Sequence, residues 1–468
     1  ENATLQDFYR LKEWVKNLNL GMLRYPSGTV SNGFYWKESI GPLEKRPLAS
    51  LFAFDRDGVR RHRMVVGLDE FLHFCELVEV EPFIVVNYAN GSPQEAAELV
   101  EYLNAPNDGS NPGGGVDWAE ERARNGHPQP YGVKYFEIGN EIFHYKGERQ
   151  PYKQSEHTDA KDCATLLIQF ARRMRQVDPS VKIGCGVIAP GEIGASDRLA
   201  RTRRPWNKTI FEIAGEEIDF VCPHLYGPGE KGREYQPSTE VFVKKAFAFI
   251  EARRQGLEEL RKEMRQAAGR EFDIFITEYN MTPNTLDLLS GLYIAQFLST
   301  CIQSGVHGAM FHNLFQFGGS FPALKFVKTH NLRVPRPAYF ALKLLSKHLR
   351  GVRLATEVNC PTFTSEYYPE LEVPYLTAIA VKRGKTVVLE VINKDIRRDY
   401  RTEIEIPGHR FPPEIKVFEL NARELKTNNE GDLNPQRTTV KLTEKSVSGG
   451  GETLTYTFPA HSVTILEF

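Results

Sequence analysis

The chain has 468 residues and a formal charge of −1, from 59 basic and 60 acidic side chains. This length predicts one large domain with a smaller one. The balanced charge, with no long block of one sign, argues against nucleic acid or a membrane surface as partner, and no apolar run reaches the roughly 18 residues of a membrane span. A neutral, sugar-like partner fits this composition, which leaves open whether the protein is a homo-oligomer and whether it is cytoplasmic or secreted.

Strand-like and helix-like runs alternate along the first 350 residues. Apolar runs predict strands at 21–26, 83–88, 133–138, 181–188, 218–224, 273–278 and 307–313. Amphipathic stretches predict helices at 5–17, 68–80, 92–103, 160–177, 239–268, 286–304 and 338–349. This alternation is typical of a parallel sheet with crossover helices, so we expect a (β/α)8 TIM-type barrel.

The predicted barrel lacks one strand. A closed barrel of this type has eight strands, and the sequence provides seven. Because the chain opens with a helix-like segment, the first strand is expected upstream of Glu1. A separate or lost segment of the same precursor would then complete the barrel between the strands at 21–26 and 307–313, and would bring an acidic residue toward the active site.

After residue 350 the pattern changes to short runs with alternating polarity. They predict strands at 377–381, 386–393, 402–406, 415–420, 453–458 and 463–468. Turn residues such as Pro407-Gly408 separate them. The expectation is an antiparallel β-sandwich, so the predicted domains are a barrel at 1–350 and a sandwich at 351–468.

Two glutamates follow or close barrel strands and are the candidate catalytic pair. Glu141 ends the motif Gly139-Asn140-Glu141 after the third predicted strand, and Glu278 lies in Thr277-Glu278-Tyr279 at the sixth. Catalytic groups of such barrels lie at the C-terminal ends of the strands, where distant residues converge. A single glutamate at a strand end is more often solvated or salt-bridged, but a matched pair is what glycosidic bond cleavage requires.

Polar residues at other strand ends are candidate partners of this pair. Arg24 could keep Glu278 ionised through a charge-assisted hydrogen bond, Asn140 could bind a sugar hydroxyl, and His224 and Tyr226 leave the strand at 218–224. His224 is equally compatible with a structural role. Glu137 is expected to point inward as a charge-paired structural residue. No zinc-binding motif occurs, so no metal is expected.

The six cysteines do not form a disulfide framework in a chain of this length. Most lie in apolar helix-like or strand-like segments, which indicates small buried side chains with free thiols.

Several segments resemble one enzyme family. They are RYPSG at 24–28, YWKESIGP at 35–42, RARNGHPQPYGVKYFEIGNE at 122–141 and PAHSV at 459–463. Together they are similar to the corresponding parts of glycoside hydrolase family 51, the α-L-arabinofuranosidase family, and the resemblance spans nearly the whole chain.

The resemblance implies a retaining mechanism with Glu141 as acid/base and Glu278 as nucleophile. Such enzymes pass through a covalent glycosyl-enzyme intermediate and need no cofactor. Arg24, Asn140, His224 and Tyr226 would form the supporting shell. The implied partner is a carbohydrate, most simply plant-type polysaccharide or oligosaccharide from which an exo-acting enzyme removes arabinofuranose.

The chain departs from the family pattern beside the expected sugar site. The family usually has Pro-Gly-Gly followed by Asn or Cys, whereas this chain has Pro26-Ser27-Gly28-Thr29. After the nucleophile the family commonly carries Trp, whereas Tyr279-Asn280-Met281 follows Glu278 here. The family's sugar-binding acid on the first strand is not in these residues. Asn313 and Gln316, beyond the last strand, are further candidate sugar ligands.

Two alternatives remain on sequence grounds. One is another glycosidase of the same clan, such as an endo-β-glucanase or a furanosidase for a different sugar. The other is a carbohydrate-binding protein without hydrolytic activity, and the presence of both Glu141 and Glu278 argues against it.

Overall fold

The computed structural model describes residues 4–48, 63–143, 159–188, 197–229, 239–282, 286–317, 319, 321–327, 332–430 and 439–468. Within these ranges, no helix combines the length and apolarity needed to cross a bilayer.

A parallel sheet extends from residue 22 to residue 311, with its seven strands in sequence order. The strands are β1 (Met22–Tyr25), β2 (Glu81–Val86), β3 (Tyr135–Ile138), β4 (Lys182–Val187), β5 (Phe220–Pro228), β6 (Asp273–Thr282) and β7 (Gly308–Phe311). Successive strands from β1 to β5 pair in parallel. All seven coincide with predicted strands, which confirms the expected β/α-barrel architecture. The eighth strand upstream of Glu1 stays a prediction.

Helices connect these strands. They are α1 (Leu5–Tyr9), α2 (Lys12–Lys16), α3 (Leu68–Val78), α4 (Pro93–Asn104), α5 (Trp118–Arg124), α6 (Ala160–Val177), α7 (Asp197–Ala214), α8 (Glu240–Ala268), α9 (Leu288–Gln303) and α10 (Pro337–His348). Local sequence signals explain the start of α4. Ser92 caps this helix by accepting a hydrogen bond from Glu95 N, and Pro93 occupies its first turn. The helix predicted at 5–17 is two short helices, and the periodicity did not indicate α5 or α7.

Both β5 and β6 extend four residues beyond their predicted ends. The sequence pattern ended them at His224 and Glu278, whereas the strands end at Pro228 and Thr282. Most of the added residues are buried, and burial of this kind depends on tertiary packing that a local pattern does not reveal. The candidate residues of these strands therefore lie before the strand tips.

A small sheet that the sequence did not predict follows β7. Its strands are β8 (Phe315–Phe317), β9 (Leu324–Val327) and β10 (Leu332–Pro335), in the order β10-β9-β8. β8 pairs in parallel with β9, and β9 pairs antiparallel with β10. The segment between β8 and β9 carries Phe321.

The C-terminal part is an antiparallel sandwich, as predicted. Its strands are β11 (Val352–Leu354), β12 (Thr362–Ser365), β13 (Tyr368–Pro374), β14 (Leu376–Arg383), β15 (Thr386–Asn393), β16 (Tyr400–Glu405), β17 (Glu414–Asn421), β18 (Lys441–Ser448), β19 (Thr453–Phe458) and β20 (Ser462–Glu467). Six of them form one sheet, ordered β11-β14-β15-β20-β17-β18, and β16 pairs with β19. The apolar core joins Leu389, Val417 and Leu466 of the large sheet to Leu454 and Phe458 of β19.

Contacts along the chain group into two compact units. One comprises Glu1–Lys16, Leu20–His224 and Glu259–Thr277, and the other Asn17–Asn19, Leu225–Glu258 and Glu278–Phe468. Strands β5 and β6 and helix α8 each contribute residues to both. The predicted boundary after residue 350 lies between α10 and β11, and we retain it as a proposal.

A buried acid in the second unit leads to a stability prediction. Glu390 of β15 is 1% exposed and accepts a hydrogen bond from Ser299 Oγ of α9 at 2.5 Å. Burial raises the pKa of Glu390 to about 8. A carboxyl whose pKa is raised on folding contributes stability that is full below its unfolded pKa, near 4.5, and is lost as pH rises through about 8.

We therefore expect Glu390→Gln to lose much less stability than the parent protein between pH 6 and pH 9. At pH 9 its free energy of unfolding should exceed that of the parent protein by about 1–3 kcal/mol. Denaturant unfolding at both pH values measures this. Burial lowers the pKa of Lys394 to about 7, which gives its contribution to stability the opposite pH dependence. Lys394 is present in both proteins, so this contribution cancels when the two are compared. Glu403→Gln, at an exposed position of β16, is the matched control. An unchanged pH dependence in Glu390→Gln would contradict the prediction.

Candidate active site

The turn after β3 places Glu141. Gly139 has a φ of 73°, and a Cβ there would lie 2.3 Å from Cγ2 of Ile142 and 2.7 Å from Cβ of Tyr88, so the turn requires glycine. Glu141 has a φ of 49°. Left-handed backbone is uncommon for a residue other than glycine and persists where the surroundings hold it, often at functional sites.

Glu141 is hydrogen-bonded to a buried histidine. Its Oε1 lies 2.8 Å from His224 Nδ1, and His224 Nε2 lies 3.1 Å from Thr277 Oγ1. Thr277 in turn donates to Glu137 Oε1 at 3.2 Å. Because the threonine hydroxyl has one proton and uses it toward Glu137, His224 Nε2 must donate to Thr277.

This direction fixes the proton count of the Glu141–His224 pair. With a proton on Nε2, the short contact at Nδ1 needs one further proton, on either Glu141 Oε1 or His224 Nδ1. The pair therefore holds one transferable proton at the strand ends, and the arrangement suits general acid and base chemistry.

Arg24 of β1 organises the neighbouring residues. Its Nε donates to Glu137 Oε2 at 2.7 Å, and its Nη2 donates to Asn140 Oδ1 at 2.7 Å. The side chain of Glu137 is fully buried, so it is the inward, charge-paired residue that the sequence predicted. Arg24 was predicted to hold Glu278 ionised; the contacts described here are with Glu137 and Asn140, and the pairing with Glu278 stays a prediction.

Asn140 is 2% exposed, and its side-chain carbonyl accepts a hydrogen bond from Arg24. Asn32 contacts the backbone N–H and carbonyl of Asn140. Within the described ranges, no group accepts a hydrogen bond from Asn140 Nδ2. The amide N–H groups are therefore available to a hydroxyl.

The carboxylate of Glu278, in β6, accepts a hydrogen bond from a tyrosine. Tyr226 of β5 donates from Oη to Glu278 Oε2 at 2.6 Å, and His312 Nδ1 lies 3.9 Å from the same oxygen. The rings of Tyr226 and His312 are 6.4 Å apart, and the Phe321 ring is 6.2 Å from Tyr226 and 6.1 Å from His312. Tyr226 and His312 thus lie beside this carboxylate, and Phe321 packs near both of their rings.

The predicted sugar ligands near Glu278 have different surroundings. Asn280 is buried, and its Nδ2 donates to the carbonyls of His312 at 2.7 Å and Phe321 at 3.0 Å, while its Oδ1 accepts from Met281 N. These bonds anchor the segment that carries His312 and Phe321, and the role of Asn280 as a sugar ligand stays a prediction. Asn313 follows β7, and its carbonyl accepts from Ala323 N at 3.1 Å.

Two further predicted ligands lie in connecting segments. Thr29 opens a 3-10 helix (Thr29–Gly33) after β1 and is half-buried. Gln316 is in β8, and its side chain lies outside the described part. Their roles stay predictions.

Other reactive groups are accounted for by burial or hydrogen bonding. Glu141, His224 and Glu278 are residue types that can ligate a metal ion, and the expected absence of a metal stays a prediction. Burial raises the pKa of the Cys185 thiol to about 12 and that of Cys222 well above its usual value. These are inert, buried thiols, as the sequence indicated; all six cysteines are free.

Sequence reasoning did not select four residues that support the site: Asn32, Thr277, His312 and Phe321. His312 could have been found, because it precedes Asn313 at the end of a barrel strand. Thr277 stands within the motif that named Glu278, but its contact with His224 is tertiary. Asn32 and Phe321 carry no local signal, because they act through contacts with residues distant in sequence.

Comparisons with known proteins identify relatives of this chain. A family model described as the alpha-L-arabinofuranosidase 1 domain matches residues 14–227, and one described as the alpha-L-arabinofuranosidase C-terminal domain matches residues 326–462. Probable alpha-L-arabinofuranosidase C of Aspergillus clavatus is 24% identical over 477 residues, which cover 97% of this chain and 87% of that protein. The exo-alpha-(1->6)-L-arabinofuranosidase of Bifidobacterium longum is 31% identical over 215 residues, covering 46% of this chain and 36% of that protein.

Solved structures share the fold. The alpha-L-arabinofuranosidase of Thermotoga maritima, in an arabinose complex, superimposes with a TM-score of 0.78 at 23% identity, covering 98% of this chain and 89% of that one. The two family matches, the full-length relative and the shared fold lead to one assignment. The chain belongs to glycoside hydrolase family 51, the α-L-arabinofuranosidase family.

Proposed function

We propose that the protein is a retaining, exo-acting α-L-arabinofuranosidase that releases arabinofuranose from plant-type polysaccharides or oligosaccharides, with Glu141 as acid/base and Glu278 as nucleophile. The full-length relatives of this family carry the name α-L-arabinofuranosidase, and a further relative is named an intracellular exo-alpha-(1->5)-L-arabinofuranosidase. The chemistry of the two glutamates supports the same activity.

The observation that carries the proposal is on strand β5. His224 contacts Glu141, and Tyr226, two residues further along the strand, contacts Glu278. Residues i and i+2 of a strand point to the same face. Each glutamate therefore has its partner on one face of one strand.

Their different partners support different roles. A phenol that donates a hydrogen bond stabilises the ionised form of a carboxyl group, which favours Glu278 as the nucleophilic carboxylate. The Glu141–His224 pair holds a proton, which favours Glu141 as the acid. Paired carboxyls whose surroundings favour opposite protonation states are the usual arrangement in glycosidases.

The proposed reaction has two steps. Glu278 attacks the anomeric carbon while Glu141 gives its proton to the departing glycosidic oxygen, and an arabinosyl ester forms on Glu278. Glu141 then takes a proton from water, the water oxygen attacks the anomeric carbon, and the ester bond to Glu278 breaks. Two inversions give overall retention of configuration.

Substrate contacts follow from the same geometry. We propose that Asn140 Nδ2 donates to a sugar hydroxyl and that Thr29 lines the same subsite. Tyr226, His312 and Phe321 offer apolar ring surface beside Glu278. Such a surface suits the C–H face of a small sugar ring.

A panel of nitrophenyl glycosides tests the substrate assignment. We expect kcat/KM for the α-L-arabinofuranoside to exceed that for β-D-glucoside, β-D-xyloside and β-D-galactofuranoside substrates by about 10²-fold or more, since a misfitted sugar loses transition-state contacts. Preference for a glucoside would favour another clan glycosidase. Saturable sugar binding without turnover of any substrate would favour the binding-only alternative.

A further inference from the structure

Asn32 holds the turn that carries Glu141. Its side-chain Oδ1 accepts from Asn140 N at 2.9 Å, and its Nδ2 donates to Asn140 O at 2.7 Å. One amide thus satisfies both backbone groups of Asn140, as a neighbouring strand would. The contact joins residues 108 positions apart in the sequence.

This two-point contact fixes the backbone on the N-terminal side of Glu141. The Asn140 carbonyl belongs to the peptide plane that ends at the nitrogen of Glu141, and φ of Glu141 measures rotation from that plane. The φ of 49° is a conformation that persists when surrounding contacts enforce it. Asn32 supplies such a contact, and therefore bears on the direction in which the Glu141 side chain leaves the turn.

Asn32 is itself anchored. It lies in the 3-10 helix Thr29–Gly33, and its carbonyl accepts from Asn90 Nδ2 at 3.1 Å. Asn90 N donates in turn to Asn87 Oδ1 at 3.1 Å, directly after β2. Next to Asn32, Ser31 Oγ donates to Pro26 O at 2.5 Å. The amide is thus fixed by segments that follow β1 and β2.

We propose that Asn32 is a positioning residue for the acid/base: it orients Glu141 for proton transfer to the leaving oxygen without itself touching substrate. This inference rests on the proposed function, because it assigns Asn32 a role only if Glu141 is the acid. A misplacement of about 1 Å at a reacting group can cost on the order of 10²-fold in rate. The rate loss should be confined to the step in which the leaving oxygen is protonated.

The chain contains a matched control. Asn104, at the end of α4, makes the same two-point contact with Val133: its Oδ1 accepts from Val133 N at 2.8 Å, and its Nδ2 donates to Val133 O at 2.8 Å. Val133 precedes β3, so this contact holds the opposite end of the strand that leads to Glu141. Loss of Asn104 therefore removes two equivalent hydrogen bonds far from the acid, together with one from its Nδ2 to Asp178 Oδ2 at 2.7 Å.

The test compares a poor and a good leaving group. For Asn32→Ala we expect kcat/KM to fall about 30- to 100-fold on an alkyl or disaccharide α-L-arabinofuranoside, and less than about 3-fold on the dinitrophenyl glycoside, whose leaving group departs without protonation. Asn104→Ala should change both substrates by the same small factor, although its melting temperature falls. Asn32→Asp, which keeps the acceptor but loses the donor to Asn140 O, should resemble Asn32→Ala and serves if the alanine variant does not fold.

Three outcomes separate the possibilities. If Glu141→Ala discriminates between the two leaving groups and Asn32→Ala does not, the positioning role is wrong while the proposed function stands. If Glu141→Ala fails to discriminate, the acid assignment itself is wrong. If the rate loss in Asn104→Ala depends on the leaving group in the same way, any loosening of β3 is enough to cause it. That result would overturn the specific role of Asn32.

Discussion

Replacing Glu278 by alanine is expected to lower kcat on every substrate by roughly 10⁵-fold or more, because a retaining reaction loses its nucleophile. The methyl side chain leaves space beside Tyr226, whose Oη lies 2.6 Å from Glu278 Oε2 in the native protein. Added azide should enter that space, attack the anomeric carbon directly and give a glycosyl azide of inverted configuration. Steady-state kinetics and NMR of the azide product measure both effects.

A control variant checks that this loss is specific. Glu271 is an exposed glutamate just before β6, and Glu271→Ala should retain near-parental kcat. If Glu278→Ala keeps more than about 1% of the parental rate, or if its azide product has retained configuration, the nucleophile assignment is wrong.

Replacing Glu141 by alanine should produce losses that depend on the leaving group. Hydrolysis of natural arabinosides should slow by about 10²- to 10⁴-fold, because the departing sugar oxygen is no longer protonated. Formation of the glycosyl-enzyme from a dinitrophenyl glycoside should be largely spared, and pre-steady-state release of dinitrophenol measures that step.

Glu271→Ala again provides the control. Glu271 is exposed and precedes β6, so its replacement should leave the rates on both substrates near those of the parent protein. Equal losses on both substrates in Glu141→Ala would contradict an acid role for Glu141.

The sequence predicted the features that depend on local pattern. Apolar runs with turn residues between them identified all seven barrel strands, and alternating runs identified the sandwich, because burial on one or both faces leaves a periodic trace. Glu141 and Glu278 were predicted for a related reason: the carboxyl ends of parallel strands meet at one edge, so a polar residue there stands out against the apolar strand.

The features that the sequence did not predict depend on long-range contacts. The bonds of Arg24 to Glu137 and Asn140 were not predicted, because nothing in the local pattern ranks these partners; its pairing with Glu278 stays a prediction. The hydrogen bonds of the Asn280 amide to the carbonyls of His312 and Phe321 were likewise not predicted. Residue type indicates what a side chain can bind, whereas its partner is decided by the fold.

The three-stranded sheet β8 to β10 was missed for another reason. Its strands have three or four residues each, and no helix separates them within the described residues, whereas alternation with helix-like runs identified the equally short barrel strands β1, β3 and β7. This sheet flanks the segment that carries Phe321, so part of the aromatic cluster of Tyr226, His312 and Phe321 depends on structure that the sequence pattern does not reveal.

Covalent trapping of the glycosyl-enzyme tests the central claim most directly. A 2-deoxy-2-fluoro arabinofuranosyl substrate with an activated leaving group slows the second step and lets the ester accumulate. Peptide mass spectrometry of the trapped protein should place one arabinosyl unit on Glu278. An adduct on Glu141 or Glu137, or hydrolysis with inverted configuration and no adduct, would contradict the account.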